Sequence, residues 1–198
     1  PVRYISNPSS GKMGYAVAEQ AKARGAEVVL ISGPTHLKPP MGVGFKACKT
    51  AGEMNSLVQE CFPECDVLVM SAAVGDFTAE KLEKEKIKKT SREGQTLNLV
   101  PTKDILMEVS KIKTKQFVVG FAAETQNLIQ SALEKLRNKK LDLIVANDIS
   151  APGIGFQSDN NQVTLVDSNE QVENLPRMAK QEIANILLDK ISRDTLQK

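Results

Sequence analysis

Apolar positions along the chain follow two periods. Runs of strand character occur at residues 2–6, 26–32, 66–73, 117–123 and 141–146, the last three as near-continuous apolar runs. Between them lie stretches with helical spacing, at 15–22, 127–140 and 178–191. Thr50 and Glu53 form a capping-box pair that opens a further helix running to Phe62. The proline- and glycine-rich stretch 33–44 predicts a loop. Runs with no polar alternation are expected of strands covered on both faces. Their regular exchange with helices predicts an α/β fold with a doubly wound, mostly parallel, Rossmann-like sheet.

Two segments break the alternation. Lys86–Ile87–Lys88 and residues 96–99 are short alternating runs around Glu93–Gly94, and they predict a β-hairpin arm at about 86–100 projecting from the sheet. Residues 162–166 and 171–175 flank Asp167–Ser168–Asn169–Glu170 and predict an ordinary hairpin.

Composition narrows the function classes. At 198 residues and 41% hydrophobic content, the chain can bury a sizeable core and reads as a single domain, 1–198. A net charge of +2, six Phe, two Tyr and no Trp give neither the field nor the stacking surface of a nucleic-acid binder. No apolar run reaches the length of a membrane span, and no signal peptide is visible. Cys48, Cys61 and Cys65 are odd in number and lack partners for a zinc site, so they read as thiols in a reducing, cytoplasmic setting. His36 stands alone in the proline-rich loop and carries little weight as a catalytic base. The start at Pro1, directly beside a strand, reads as that of an excised domain.

The candidate chemistry begins at Asn7–Pro8–Ser9–Ser10–Gly11–Lys12–Met13–Gly14, between the first strand run and the first helical run. A small-residue turn at a helix start aims backbone N–H groups and the positive end of the helix dipole at one place, which suits phosphate. An ordinary βα turn is the other reading. The segment is not a P-loop, because Ser6 and Met13 stand where that motif needs Gly and Ser or Thr. It is a poor dinucleotide fingerprint, with two of three glycines and Ser32–Gly33–Pro34 in place of the ribose-binding acid. Asn7 is either a turn former or an amide placed to donate to a developing oxyanion. Ligands of open α/β sheets sit beyond the carboxyl ends of the strands. Asp76 and Asn147–Asp148 fall there, as ribose ligands or as turn residues. The lysine-rich run 81–89 is a solvated face or a polyphosphate contact, with Lys86 and Lys88 on one side of a strand. Lys135 and Lys139 share a helix face, with the same two readings.

Six segments then recur in order: 5–14, 72–77, 86–89, 120–125, 146–148 and 155–160. Their series resembles phosphopantothenoylcysteine synthetase, the ligase of coenzyme A biosynthesis, over nearly the whole chain. The resemblance implies that 4′-phosphopantothenate is joined to L-cysteine through an acyl-cytidylate, releasing pyrophosphate and then CMP, with CTP as cosubstrate and Mg²⁺. CTP is the usual nucleotide of the bacterial branch, and the residues themselves do not separate it from ATP. The resemblance implies catalytic roles for Asn7, in turnover of the intermediate, and for Lys86, in its formation. It implies nucleotide contacts at Ser9, Ser10, Gly11, Gly14, Met70, Ser71, Ala72, Asp76, Lys86, Phe121, Lys135 and Lys139, and a base-pocket loop at Lys103, Asp104, Ile105 and Leu106. No metal ligand is assigned. A homodimer through the 86–100 arm follows from the same source. The acidic, Thr-containing segment that precedes this region in the family is missing before Pro1, and Gly75 stands where Ser or Ala is usual. Many relatives carry a flavin-dependent decarboxylase upstream, so such a fusion is an expectation too. Two other function classes stay open: an NAD(P)-dependent Rossmann oxidoreductase, and a nonenzymatic nucleotide-binding module.

Overall fold

A computed structural model describes residues 5–81, 96–124, 127–148 and 158–196. Residues 2–4 of the predicted strand at 2–6 and most of the predicted arm, Lys86 included, lie outside them, and Ile5 and Ser6 are not strand. In chain order the elements are α1 (Lys12–Ala23), β1 (Val29–Ser32), β2 (Gly44–Ala47), α2 (Ala51–Cys61), β3 (Val67–Met70), β4 (Phe77–Ala79), β5 (Leu99–Pro101) and α3 (Ile105–Ile112). Then follow β6 (Phe117–Glu124), α4 (Leu128–Asn138), β7 (Leu143–Asp148), β8 (Asn160–Asn161), β9 (Val163–Asp167), β10 (Val172–Asn174), β11 (Met178–Ala179) and α5 (Lys180–Leu196).

The main sheet has the order β10-β9-β7-β6-β3. Strands β3, β6 and β7 are parallel, and the expected 162–175 hairpin continues the sheet as antiparallel β9 and β10. Successive strand residues point to opposite faces, and the core divides accordingly. Phe117, Val119, Leu143, Val145, Val163 and Leu165 pack with Ala16 and Val17 of α1 and Ile183, Ala184 and Leu187 of α5. Val118, Ala122, Ile144, Ala146 and Val166 pack with Met54 and Val58 of α2, Ile105 and Val109 of α3, and Ala132 and Leu136 of α4. Helices thus cover both faces, as the uninterrupted apolar runs predict.

Several elements differ from expectation. The 66–73 run is strand only at Val67–Met70, and each of those residues is half-buried rather than fully covered. Among the described residues β3 ends the main sheet, which explains its lesser burial. The 33–44 loop gives way to β2, which pairs in parallel with β1. Residues 103–106, expected as a loop, begin α3: Asp104 caps it by accepting from the Met107 N–H at 3.1 Å. The expected capping box is shifted by one residue. Thr50 Oγ1 accepts from Glu53 N–H, but Glu53 reaches back to the Lys49 N–H at 2.6 Å. Of the three thiols, Cys48 is buried while Cys61 and Cys65 are half-buried, and all are free.

The base of the predicted arm is described: β4 and β5 pair antiparallel, Phe77 opposite Pro101 and Ala79 opposite Leu99.

Candidate functional site

Gly11 caps α1 with φ +76°, a conformation a side chain would resist. A Cβ there would also stand 3.0 Å from Thr35 Cγ2. The turn before it is closed by Ser9 N–H donating to Asn7 O at 2.8 Å. At Gly14 a Cβ would stand 2.8 Å from Ser71 Oγ, so this glycine lets α1 approach the end of β3. The Asn7 amide nitrogen donates to Ala73 O at 3.1 Å and lies 3.4 Å from Val74 O. Asn7, Gly11, Gly14, Ser71 and Ala72 are therefore brought to one place, at the carboxyl end of the parallel strands. Ser9 and Ala72 are exposed, whereas Ser10, Met70 and Phe121 are half-buried. Phe121 belongs to the same end, since Met70 stands opposite Gly120 in the register.

A chain of hydroxyls lies beyond β1. Thr35 Oγ1 donates to Tyr15 Oη at 3.2 Å, and Tyr15 donates to Ser32 Oγ at 3.3 Å. Tyr15 and Ser32 are both buried. A dinucleotide-binding chain holds a ribose-binding acid at this strand end. Here the position is a packed hydroxyl chain, an arrangement unlike that of an NAD site.

A second group lies along the loop that follows β3. Thr102 N–H donates to Asp76 O at 2.8 Å, and Thr102 Oγ1 donates to Gly75 O at 2.6 Å. These bonds tie exposed Asp76 to the start of α3, where Lys103 is exposed and Ile105 is buried. Leu106 packs over the middle of β6, near Gly120. Lys139, just past α4, pairs with Asp104 at 2.8 Å. Burial alone would push the Asp104 carboxyl up. Lys139 and the Met107 and Leu106 amides outweigh it and hold that carboxyl below its ordinary value. Lys135 is half-buried on the same helix, one turn earlier. Lys139, expected at the triphosphate, thus pairs with Asp104, expected in the base-pocket loop.

A third group centres on Asp159, Asn161 and Lys180, to which the sequence assigned no role. Segment 158–161 crosses the same end of the sheet. Asp159 pairs with Lys12, the first residue of α1, at 2.5 Å. Asn161 donates to Asn147 Oδ1 at 3.1 Å, at the end of β7. Lys180 donates to Ser158 O at 2.5 Å, and its backbone N–H donates to Asp159 O at 3.1 Å. Lys180 is buried at 5% exposure. Residues 158–160 belong to the last of the six ordered segments, but Lys180 carries no local signal, because its meaning depends on a contact with chain far away.

The family model described as "DNA/pantothenate metabolism flavoprotein C-terminal domain" matches residues 1–195. The chain belongs to this family. It is 44% identical over 193 residues to the coenzyme A biosynthesis bifunctional protein CoaBC of Bacillus subtilis, covering 97% of this chain and 47% of that protein. Against CoaBC of Escherichia coli K12 it is 44% identical over 195 residues, covering 96% and 48%. A protein named cysteine/cysteine sulfinic acid decarboxylase, from an unknown prokaryotic organism, is 42% identical over 193 residues, covering 96% and 54%. The chain thus spans about half the length of the curated relatives it matches.

The solved C-terminal domain of a CoaBC superposes with a TM-score of 0.85 at 37% identity, covering 100% of this chain and 89% of that one. A Cab2 H337A variant in complex with phosphopantothenate-cysteine shares the fold, with a TM-score of 0.75 at 19% identity over 97% and 80%. The family matches the resemblance carried by the six ordered motifs.

Proposed function

We propose that this chain is the ligase domain that joins 4′-phosphopantothenate to L-cysteine in coenzyme A biosynthesis, through an acyl-cytidylate. The observation that carries this reading is the meeting of the Asn7–Gly14 turn with Ser71–Val74 at the carboxyl end of the sheet, in a chain related to CoaBC. A carboxylate is a poor electrophile, so the amide needs an activated acyl group. In the first step a substrate carboxylate oxygen attacks the α-phosphorus of CTP, and the bond to the β-phosphate breaks to release pyrophosphate. In the second step the cysteine nitrogen attacks the acyl carbon. The C–O bond to the nucleotide then breaks, CMP leaves, and the ammonium proton passes to solvent.

The chain's own groups suit those demands. The first amides of α1 face the turn and favour negative charge there. Asn7 holds the 71–76 loop against the turn and has an amide of the right chemistry to stabilise an acyl oxyanion. Asp76 is exposed at the loop's end as a ribose ligand, and Lys86 and Lys135 supply positive charge for the triphosphate. Among the described residues no three His, Cys, Asp or Glu side chains gather to hold a metal ion. A Mg²⁺ ion brought in on the triphosphate would offset part of its negative charge.

The exposed Phe77, Leu97 and Leu99 on and beside β4–β5 make an apolar surface at the base of the arm. We assign it to a homodimer interface. Light scattering should give twice the chain mass, and Leu99→Asp should shift the population to monomer.

Mass spectrometry of a reaction containing 4′-phosphopantothenate, CTP, Mg²⁺ and cysteine tests the function. The expected products are phosphopantothenoylcysteine and CMP in equal amounts. Turnover with ATP but not CTP would overturn the nucleotide assignment, and binding of CTP without product would favour a nonenzymatic module.

A further inference from the structure

We propose that Asp159 and Lys180 form a latch on Lys12, holding its ammonium beside the phosphoryl site and releasing it when a triphosphate binds. The proposal rests on the ligase reading above and assigns positioning roles to two residues outside its substrate contacts.

Lys12 is the first residue of α1, at the end of the helix where the turn's amides and the dipole favour anions. Its ammonium is paired with Asp159, whose side chain is 86% exposed. An ion pair so open to water is weak and exchanges readily. A triphosphate brings several negative charges to the same helix end and is the stronger partner for Lys12.

Asp159 itself is not free to wander. Its backbone carbonyl accepts from Lys180 N–H, and the preceding carbonyl, Ser158 O, accepts from the Lys180 ammonium. Asn160 N–H donates to Ser158 Oγ at 3.2 Å, and Asn161, buried at 5% exposure, is fastened to Asn147. The segment is therefore fixed at α5 and at β7, while its one exposed carboxylate faces Lys12. Lys12, Lys180, Asp159 and Lys38 line a single cleft of about 320 Å³. Burial first, and then the charge of Lys12, hold the Lys180 ammonium below the ordinary lysine value, in keeping with two cations placed close together. Asp159, paired with Lys12 and attracting Lys180, is a removable counter-ion beside them, and Glu19 is the other carboxylate lining the cleft.

Calorimetric titration of CTP into the purified chain, without phosphopantothenate, tests the latch. Asp159→Asn keeps the shape but removes the competing charge. It should tighten CTP binding about two- to fivefold, the span an exposed ion pair allows, and steepen its salt dependence. Asp159→Glu should restore the wild-type affinity. In a Lys12→Met or Lys180→Met background, Asp159→Asn should no longer change the affinity, a coupling that a merely structural role would not produce. Unchanged or weaker binding by Asp159→Asn, or the same gain in the Lys12→Met background, would overturn the latch while leaving the ligase reading intact. A folded wild-type chain that binds no nucleoside triphosphate would overturn both.

Discussion

Asn7 has two roles that a single substitution separates poorly. Its amide nitrogen holds the loop after β3, through Ala73 O, and in the proposed reaction it also faces the acyl oxyanion. Asn7→Ala removes both, while Asn7→Asp keeps the size and loses the N–H donors. Both variants should retain CTP binding and lose about 100-fold or more in product formation, the cost of removing an oxyanion donor. Rapid-quench kinetics should place the loss in the step that consumes cysteine. Full turnover by Asn7→Asp would assign the residue to turn formation alone. Asn7, Gly11 and Gly14 were legible because turn chemistry is local. The partner of Lys12 was not, because Asp159 lies 147 positions away and no periodicity links them.

At the scale of elements, β6 shows why a strand sequence can be read and its neighbours missed. Its apolar run announces a buried strand, and Gly120 within it marks a close approach. A Cβ at Gly120 would stand 2.7 Å from Leu141 Cδ1 and 3.4 Å from Leu106 Cδ1, on the face covered by α3 and α4. Leu141 is buried at 4% exposure and has little room to move. Gly120→Ala should therefore destabilise the fold by about 1–3 kcal/mol, the usual cost of overpacking, in urea unfolding followed by circular dichroism. Stability equal to wild type would mean that Leu141 repacks. Strand β2 escaped notice because four residues after a proline-rich loop carry little pattern, and its pairing with β1 is long-range. Helix α3 was hidden by its own cap. Thr102–Lys103–Asp104 has turn chemistry, and only the Asp104–Met107 bond makes it a helix start.

Across the whole molecule, paired carboxylates set the response to acid. Burial alone would raise the Asp167 carboxyl. Lys190, at 2.9 Å, and the Gln171 and Asn169 amides outweigh it and hold it below its ordinary value. A carboxyl depressed in the folded state stabilises the fold above its unfolded value of about 4, and that contribution fades as pH falls through the folded value. Asp167→Asn should thus lower stability at pH 7 by about 1–3 kcal/mol. The loss on going from pH 5 to pH 2 should be smaller than in wild type. Thermal melts across that range check both, and an unchanged acid limb would place acid sensitivity elsewhere. The α/β architecture and the paired hairpin were readable because burial and alternation are written locally. The ion pairs that join distant segments were not.

In the proposed reaction this fold activates a carboxylate with a nucleotide before an amine arrives. The most direct measurement is pyrophosphate release with 4′-phosphopantothenate, CTP and Mg²⁺ but no cysteine. About one equivalent per site should be released, none without phosphopantothenate, with continuous turnover once cysteine is added. No release until cysteine is present, or release that ignores phosphopantothenate, would contradict that order of steps.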